Sequence, residues 1–209
     1  MSKYLGPLWK KSRALHFSLL GNKKEFSRGK KRITPPGMHG EKRKKKLSPY
    51  GLQLQEKQKV MYGYGWRDKQ VKSEYVKAKS ETGDTGINLL MSSESRLDNV
   101  VFRSGLTNTL NYARQLVSHK HILVDGKTVN IPSYKVEAGQ VISLKEEMKQ
   151  NELIKNNLEQ NIKVPDYIAF DKQKLTIACL RAPLYEDLPE EKLKKINPAL
   201  VVEWYSRKV

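Results

Sequence analysis

The chain has 209 residues, of which 38% are apolar, so it can form one large domain or two small ones, and we expect two small ones. Its formal net charge of +18 exceeds what solubility requires and points to a large polyanion as partner, with RNA, DNA and an anionic membrane open at this stage. A single cysteine, Cys179, excludes an internal disulfide and a cysteine-based zinc cluster within the chain, and no apolar run approaches the roughly 20 residues needed to cross a bilayer.

Residues 1–49 form a basic stretch with little apolar periodicity. Residues 1–80 hold 22 Lys and Arg against 5 acidic residues, whereas residues 81–209 hold 18 against 17. The stretch has too little to bury for a core of its own, so we expect it to become ordered on its partner. Five large apolar side chains are interleaved with its cations, which suits stacking on bases or docking onto the rest of the fold better than a solubilising tail. They are Tyr4, Leu5, Trp9, Phe17 and Phe26.

A small helical unit follows the basic stretch. Ser48 and Pro49 mark the start of one helix, whose residues recur on successive turns. A second helix is predicted from about Trp66 to Lys79, and the glycine-rich stretch at residues 81–86 ends it.

Two further helices and a hairpin form the next unit. Leu97, Val100 and Val101 share one apolar stripe that stops at Gly105, and another helix is predicted from about Thr107. The short turn between these helices predicts an αα-hairpin. The stretch "HILVDGKTVN" that follows is typical of a β-hairpin with a two-residue type I′ turn, and "YKVEAGQVISL" supplies further strand.

The last third of the chain is mixed. Residues 146–163 are typical of a polar helical connector, "PDYIAFDKQKLTIACL" of two strands, and "EDLPEEKLKKI" of a short helix opened by Asp187. The closing "ALVVEWYSRK" contains large apolar side chains, among them Trp204 and Tyr205, that must be covered. We expect them to pack on the first helical unit, because no other segment is predicted to cover the apolar side of that unit.

A surface rich in hydrogen-bond donors is predicted where the αα-hairpin runs into the β-hairpin. Its residues extend over fewer than two helical turns. Arg96 and Arg103 on the preceding helix are seven residues apart, hence on nearly the same face, and widen it. Such a surface suits the phosphates and 2′-hydroxyls of structured RNA. The donors at the junction itself are Arg114, Gln115, Ser118, His119 and Lys120.

At this point several motifs resemble a known family. "RLDNVVFRSGL", "ARQLVSHKHILVDGK" and "VNIPSY" are similar to the S4 RNA-binding domain. Outside that domain, "YLGP", "PGMHG", "LSPYGLQLQEKQKV", "TGINLL" and "VEWYS" resemble the bacterial S4 family of small-subunit ribosomal proteins, in the same order along the chain. The resemblance therefore covers nearly the whole sequence.

This resemblance implies an α+β fold. A helical N-terminal domain carries an inserted S4 domain, made of an αα-hairpin and a small antiparallel sheet, and a C-terminal segment packs back on the helical domain. We expect a basic RNA-binding arm at residues 1–41, the helical domain at residues 42–92 plus 165–209, and the S4 domain with its connector at residues 93–164.

The resemblance also implies a function without catalysis. Members are structural constituents of the small ribosomal subunit, in the cytoplasm, that bind the 5′ domain of small-subunit rRNA and nucleate assembly. They contact ribosomal protein S5, lie beside the channel through which mRNA enters, and contribute to translational accuracy. Carried over by position, the RNA-facing residues are Lys10, Arg13, Lys42, Arg43, Tyr50, Gln53, Lys57, Lys59, Arg96, Arg114, Ser118, His119 and Lys120.

The chain departs from the family pattern near its beginning. Many members bind zinc through a cysteine cluster in the region of residues 9–31, where this chain has no cysteine. His16 and His39 are too isolated to replace those ligands, and His119 and His121 have no carboxylate or cysteine beside them in sequence. We therefore expect no metal and no other cofactor.

Two other functions stay open from the residues alone. The "RLD" at 96–98 is similar to the aspartate motif of pseudouridine synthases, which join an S4 domain to a catalytic domain, so an RNA-modifying enzyme is the alternative. The residues after Asp98 have a different spacing, and residues 146–209 leave little room for a catalytic domain, which favours a structural or ion-pairing Asp98. A general DNA-compacting protein is the third possibility, and it predicts equal affinity for duplex DNA and junction RNA.

Overall fold

A computed structural model describes residues 4, 6–20, 26, 34–40, 46–158, 164–189 and 195–207. The chain divides into two compact units: a helical unit, Met1–Leu89 with Glu190–Val209, and a sheet unit, Leu90–Pro189. The expected α+β class is confirmed. In chain order the elements are α1 (Leu8–Leu15), α2 (Pro49–Gly63), α3 (Asp68–Ser80), α4 (Thr85–Glu94), α5 (Leu97–Arg103), α6 (Leu110–Ser118), β1 (Ile122–Val124), β2 (Lys127–Thr128), β3 (Val141–Leu144), α7 (Glu146–Lys149), α8 (Glu152–Leu158), β4 (Ile168–Asp171), β5 (Thr176–Cys179) and α9 (Pro198–Ser206).

In the helical unit, α2 begins where the sequence predicted. Ser48 Oγ accepts a hydrogen bond from the Gly51 N–H at 3.2 Å, and Pro49 takes the first helical position, where an N–H would have no intrahelical partner. The C-terminal helix α9 packs along α2 and buries Trp204 and Tyr205. The prediction that the first helical unit covers the C-terminal segment is confirmed.

The helix α3 packs on α9 through two tyrosines. The buried rings of Tyr75 and Tyr205 stack with centroids 5.4 Å apart. The Tyr205 hydroxyl donates a hydrogen bond to Asp68 Oδ1 at 2.8 Å. Burial, together with this carboxylate, raises the pKa of Tyr205 well above its ordinary value, so the hydroxyl stays protonated and keeps donating.

Part of the basic N-terminal stretch packs into the helical unit. Of the two roles predicted for its large apolar side chains, docking onto the rest of the fold holds for Phe17, and the expectation that the stretch becomes ordered on its partner is corrected for this part. Leu15, Phe17 and Leu19 are buried, and a Cβ at Gly63 of α2 would lie only 3.6 Å from the Phe17 ring. Ser12, on α1, is also buried, and its Oγ accepts a hydrogen bond from the Leu19 N–H at 3.3 Å. Phe17, although it lies between cations in the sequence, thus packs against α2.

In the sheet unit, α5 and α6 form the predicted αα-hairpin. Gly105, at a φ of 85°, follows α5 as the predicted helix stop. The next helix begins at Leu110, later than expected, because Thr109 caps it by accepting the Tyr112 N–H at 3.2 Å. The apolar stripe of α5, including Leu97, lies in the core of the unit.

The strands form one antiparallel sheet in the order β2-β1-β3-β5-β4. Alternate residues point into the core, as with Ile142 and Leu144 on β3 and Ile177 on β5, and Ile142 lies opposite Ile177. Asp125 and Gly126 join β1 to β2 with positive φ at both positions, 49° and 77°, as the predicted type I′ turn requires.

Residues 165–189 belong to the sheet unit, which corrects the expectation that they join the helical domain. The physical reason is the pairing of β5 with β3, which makes β4 and β5 part of the same sheet. Most of the short helix predicted over "EDLPEEKLKKI" and opened by Asp187 cannot be compared, because residues 190–194 lie outside the described ones; a 3₁₀ turn at Tyr185–Asp187 covers its beginning. Within the described ranges, no helix combines the length and apolar character required to span a membrane.

Candidate nucleic-acid interface

The end of α6 presents three exposed polar residues in succession. Ser118 is the last helical residue, and His119 caps the helix by donating its N–H to the Gln115 carbonyl at 2.9 Å. Gln115, Ser118, His119 and Lys120 are all exposed, as the sequence predicted for a binding surface. They offer amide, hydroxyl, imidazole and ammonium groups to a ligand.

Lys120 turns the chain out of the helix in a left-handed conformation, with a φ of 65°. Its N–H donates to Val117 O, and the His121 N–H donates to Leu116 O, both at 3.0 Å. This is the Schellman arrangement, in which glycine usually occupies the left-handed position. A lysine there carries a backbone cost, and such costs cluster at functional sites. The corner of Ser118, His119 and Lys120 is therefore both exposed and held by backbone hydrogen bonds; we call it the α6 corner.

The hairpin that leaves the α6 corner is also fixed. Asp125 Oδ1 accepts the Val141 N–H at 2.9 Å, and Oδ2 accepts Gln140 Nε2 at 3.2 Å, so the turn is tied to β3. Lys127, the first residue of β2, is exposed on this hairpin. Lys127 is not among the residues predicted from the sequence, although a cation directly after an Asp-Gly turn is a readable signal for an exposed charge.

Arg96 and Arg114 lie close together because both bind the carboxylate of Asp98. Arg96 binds both Asp98 oxygens, at 3.0 and 2.7 Å, and Arg114 donates twice to Oδ2, at 2.9 and 2.7 Å. Asp98 is fully buried, and the side chains of Arg96 and Arg114 are only 8% and 13% exposed. The ion-pairing role expected for Asp98 is confirmed. The pairing of both arginines with this buried carboxylate was not predicted.

The other arginines of the sheet unit are also paired. Arg103 donates to both carboxylate oxygens of Glu94, at 2.9 and 2.8 Å, and the Arg103 side chain is only 13% exposed. Arg181 binds Asp187, at 2.6 and 2.8 Å, and this hydrogen bonding lowers the pKa of the Asp187 carboxyl. Each of the four arginines in residues 90–189 thus contacts a carboxylate, and the charge directed to solvent at the α6 corner and the hairpin comes from lysine.

Four of the predicted residues lie on α2 of the helical unit. Tyr50 is 54% exposed and rests on the Trp204 ring, with centroids 4.9 Å apart. Gln53, Lys57 and Lys59 instead point to groups of the same unit. Gln53 Nε2 donates to Glu203 at 2.6 Å, Lys57 Nζ lies 2.6 Å from Asp68 Oδ1, and Lys59 Nζ donates to the Lys195 carbonyl at 2.6 Å.

The remaining predicted residues lie in the N-terminal stretch. Lys10 is exposed on α1. Arg13 donates to the carbonyls of Trp9 and Thr34, at 3.4 and 3.2 Å, and so joins α1 to residues 34–40. Lys42 and Arg43 lie outside the described residues. The predicted set is therefore divided between the two units, with most of its exposed members at the α6 corner, on Tyr50 and on Lys10.

Comparison with known proteins accounts for both units. Residues 3–94 match the family described as Ribosomal protein S4/S9 N-terminal domain, and residues 95–142, which include the α6 corner, match the S4 domain. The chain is 48% identical over 207 residues to small ribosomal subunit protein uS4 of Geobacillus stearothermophilus, covering 99% of this chain and 100% of that protein. The chain belongs to the uS4 family. Against the uS4 proteins of Mesoplasma florum and Lactobacillus gasseri it is 48% identical over 209 residues and 43% over 210, covering 99% of both chains and 100% of both chains respectively.

Membership of the uS4 family decides against one of the functions left open above. The family consists of ribosomal proteins and not enzymes, so the RNA-modifying alternative falls. The resemblance seen in the motifs is confirmed along the full chain. Asp98, which invited an enzymatic interpretation, is instead the counter-charge of two arginines in the uS4 fold.

Proposed function

We propose that the chain is a structural constituent of the small ribosomal subunit, in the cytoplasm, and binds small-subunit rRNA directly. Full-length similarity to proteins named small ribosomal subunit protein uS4 supports this proposal. The observation that carries it is the α6 corner: an exposed Ser118, His119 and Lys120, held at a backbone cost inside the segment that matches the S4 domain.

The charge distribution supports a division of labour between the two units. Residues 90–189 hold 13 Lys and Arg against 12 Asp and Glu, whereas the rest of the chain holds 27 against 10. Phosphate neutralisation and attraction at long range therefore fall to the helical unit and its basic N-terminal stretch. The nearly neutral sheet unit contributes short-range contacts from the α6 corner to phosphates and 2′-hydroxyls, which recognise the shape of folded RNA.

The motif resemblance supports a finer proposal. The target is the 5′ domain of small-subunit rRNA, which the chain binds early and whose folding it nucleates by holding several RNA helices in one arrangement. In the assembled subunit the chain contacts ribosomal protein S5 and lies beside the channel through which mRNA enters, where it contributes to translational accuracy.

A competition experiment tests the RNA-binding proposal. The purified full-length chain is bound to labelled 5′-domain rRNA and challenged with equal masses of unlabelled 5′-domain rRNA, an unrelated folded RNA and duplex DNA. We expect the 5′-domain RNA to compete at much lower concentration than the other two. Equal competition by all three would contradict specific rRNA binding and would favour a general polyanion binder.

Sedimentation of a cell lysate tests the structural role separately. We expect the chain to run with the small ribosomal subunit and to stay with it through a wash in moderate salt. Recovery of the chain at the top of the gradient would contradict a role as a subunit constituent.

A further inference from the structure

The start of the C-terminal helix α9 is fastened to α2 by a buried carboxylate. Glu56, on α2, is 9% exposed, and its Oε2 accepts a hydrogen bond from the Asn197 N–H at 2.9 Å. The other oxygen, Oε1, accepts from Lys59 Nζ, which also donates to the Lys195 carbonyl at 2.6 Å. Asn197 in turn caps α9, because its Oδ1 accepts the Ala199 N–H at 3.1 Å. Both oxygens of Glu56 therefore fix the point at which α9 begins.

Two further side chains of α2 hold α9 nearer to its end. Gln53 is 2% exposed, and its Nε2 donates to Glu203 at 2.6 Å. Lys57 is also buried, and its Nζ lies 5.7 Å from the centre of the Trp204 ring. Contacts from α2 therefore reach α9 at both of its ends. We use the name α2 clasp for the residues that make them, Gln53, Glu56, Lys57 and Lys59.

The α2 clasp secures Trp204, and Trp204 carries the ring of Tyr50. The Trp204 side chain is buried, whereas Tyr50 is 54% exposed, and the two ring centroids are 4.9 Å apart. An exposed aromatic ring that rests on a buried one is a platform on which an RNA base can stack. The place of this platform depends on Trp204, and the place of Trp204 depends on how α9 lies on α2.

We propose that Glu56 is a positioning residue for RNA binding. Through the α2 clasp it holds α9, and α9 holds Trp204, which presents the Tyr50 ring to a base of the RNA. The proposal rests on the rRNA-binding function proposed above and adds that the three clasp residues which family resemblance assigned to RNA act through the fold. A buried carboxylate gains nothing from a nearby phosphate, so a dependence of RNA binding on Glu56 has to run through its contacts within the unit.

Replacement of Glu56 by glutamine is a test in which charge and position act in opposite directions. Glu56→Gln removes a negative charge, which by itself favours binding to a polyanion. It also replaces one acceptor oxygen by an amide group that cannot accept a hydrogen bond, so one contact of the clasp is lost. The control in the full-length chain is Glu81→Gln, which removes the same charge at an exposed position after α3. The readout is the affinity for 5′-domain rRNA at several KCl concentrations.

We expect Glu56→Gln to weaken binding by about threefold or more, which is part of the loss that follows when one base no longer stacks. Glu81→Gln should bind as tightly as the wild type or slightly more tightly. The slope of log affinity against log salt should stay the same in both variants, because a lost phosphate contact would change it by about 0.7 to 0.9. Equal affinity of the two variants, or tighter binding by Glu56→Gln, would overturn the proposal.

A stability control separates positioning from a general loss of folding. Val71→Ala opens a cavity in the core of the same unit, on a helix that carries none of the clasp residues. At a temperature at which calorimetry shows all variants to be folded, Val71→Ala should bind 5′-domain rRNA like the wild type. A loss of affinity as large as that of Glu56→Gln would mean that stability alone governs binding, and the positioning role would be wrong.

Variants of Tyr50 test the other end of the chain of contacts. Tyr50→Ala removes the ring and should weaken binding by about fivefold or more, whereas Tyr50→Phe keeps the ring and should bind like the wild type. If Glu56 acts through Tyr50, adding Glu56→Gln to Tyr50→Ala should cause no further loss of affinity, since the two changes then remove the same contact. Additive losses, or a Tyr50→Phe variant as weak as Tyr50→Ala, would overturn the proposal.

The wild-type chain shows which proposal has failed. If it prefers 5′-domain rRNA over an unrelated folded RNA while Glu56→Gln behaves like Glu81→Gln, the positioning role is wrong and the proposed function is retained. If the wild-type chain has no such preference, both proposals fall.

Discussion

Lys120 combines an exposed charge with a strained backbone, and these two properties can be separated by mutation. Left-handed backbone costs a side chain about 1 kcal/mol or more, and glycine avoids that cost. We expect Lys120→Gly to raise the free energy of unfolding by up to about 1 kcal/mol while weakening the binding of 5′-domain rRNA. Calorimetric unfolding and an RNA-binding titration on the same preparation measure both.

The matched control at this position is Lys120→Asn. Asparagine tolerates the left-handed region better than lysine and also lacks the charge. It should therefore lose RNA affinity to the same degree as the glycine variant, with a smaller gain in stability. A glycine variant that unfolds more easily than the wild type would show that the Lys120 side chain stabilises the fold, contrary to the role assigned to it.

Arg114 and Gln115 are neighbours on α6 with opposite expected roles. Arg114 donates two hydrogen bonds to the buried Asp98, and leaving part of that carboxylate unpaired costs about 1–3 kcal/mol. We expect Arg114→Ala to lower the free energy of unfolding by that amount. Gln115→Ala, at an exposed position, should change it by less than about 0.5 kcal/mol and should weaken RNA binding instead. Denaturant unfolding curves distinguish the two, and equal stability of both variants would contradict the ion-pair assignment.

At the scale of single residues, the sequence predicted which hydrogen-bond donors are exposed better than it predicted which side chains pair with each other. Ser118, His119 and Lys120 are exposed as expected because burying three successive polar or charged side chains without partners would cost free energy. The environment of Arg96 and Arg114 depends on Asp98, sixteen residues before Arg114, and helical spacing alone does not say that both guanidinium groups converge on it. Family resemblance assigned these arginines to RNA, and that role stays a prediction beside the observed ion pairs.

At the scale of elements, local signals predicted the helices and the hairpin. Ser48 with Pro49, Gly105 and the pair Asp125-Gly126 each act within a few residues, so their outcome is readable from sequence. The pairing of β5 with β3 could not be predicted, because more than thirty residues separate the two strands and the sequence of neither strand indicates which strand it pairs with. The same holds for the docking of Phe17 against α2.

The docking of the N-terminal stretch leads to a prediction about Phe17. This ring is 1% exposed and lies against α2, so truncation leaves a cavity that costs about 3–5 kcal/mol. We expect Phe17→Ala to lower the melting temperature of the free chain markedly. Met38→Ala, in the same stretch but 91% exposed, is the control and should leave the melting temperature unchanged. Unaltered melting of the Phe17 variant would mean that the stretch contributes nothing to the fold in the absence of RNA.

At the scale of the whole molecule, most of the excess positive charge lies in the helical unit, whereas the sheet unit is nearly neutral and carries the α6 corner. The sheet unit holds 13 cationic residues against 12 acidic ones and pairs its arginines internally, while the rest of the chain carries 27 against 10. The excess charge could be counted from the sequence, but the ion pairs between these arginines and carboxylates could be seen only in the fold. Strong RNA binding is therefore expected to require the helical unit and its N-terminal stretch, with the α6 corner determining how the bound RNA is oriented.

The most direct test of RNA binding through the charged helical unit is the salt dependence of the affinity for the 5′ domain of small-subunit rRNA. If the unit neutralises many phosphates at once, the affinity should fall by about a thousandfold or more between about 50 and 200 mM salt, with a linear plot of log affinity against log salt. An affinity that stays nearly constant across this range would contradict the claim that the charged helical unit drives RNA binding.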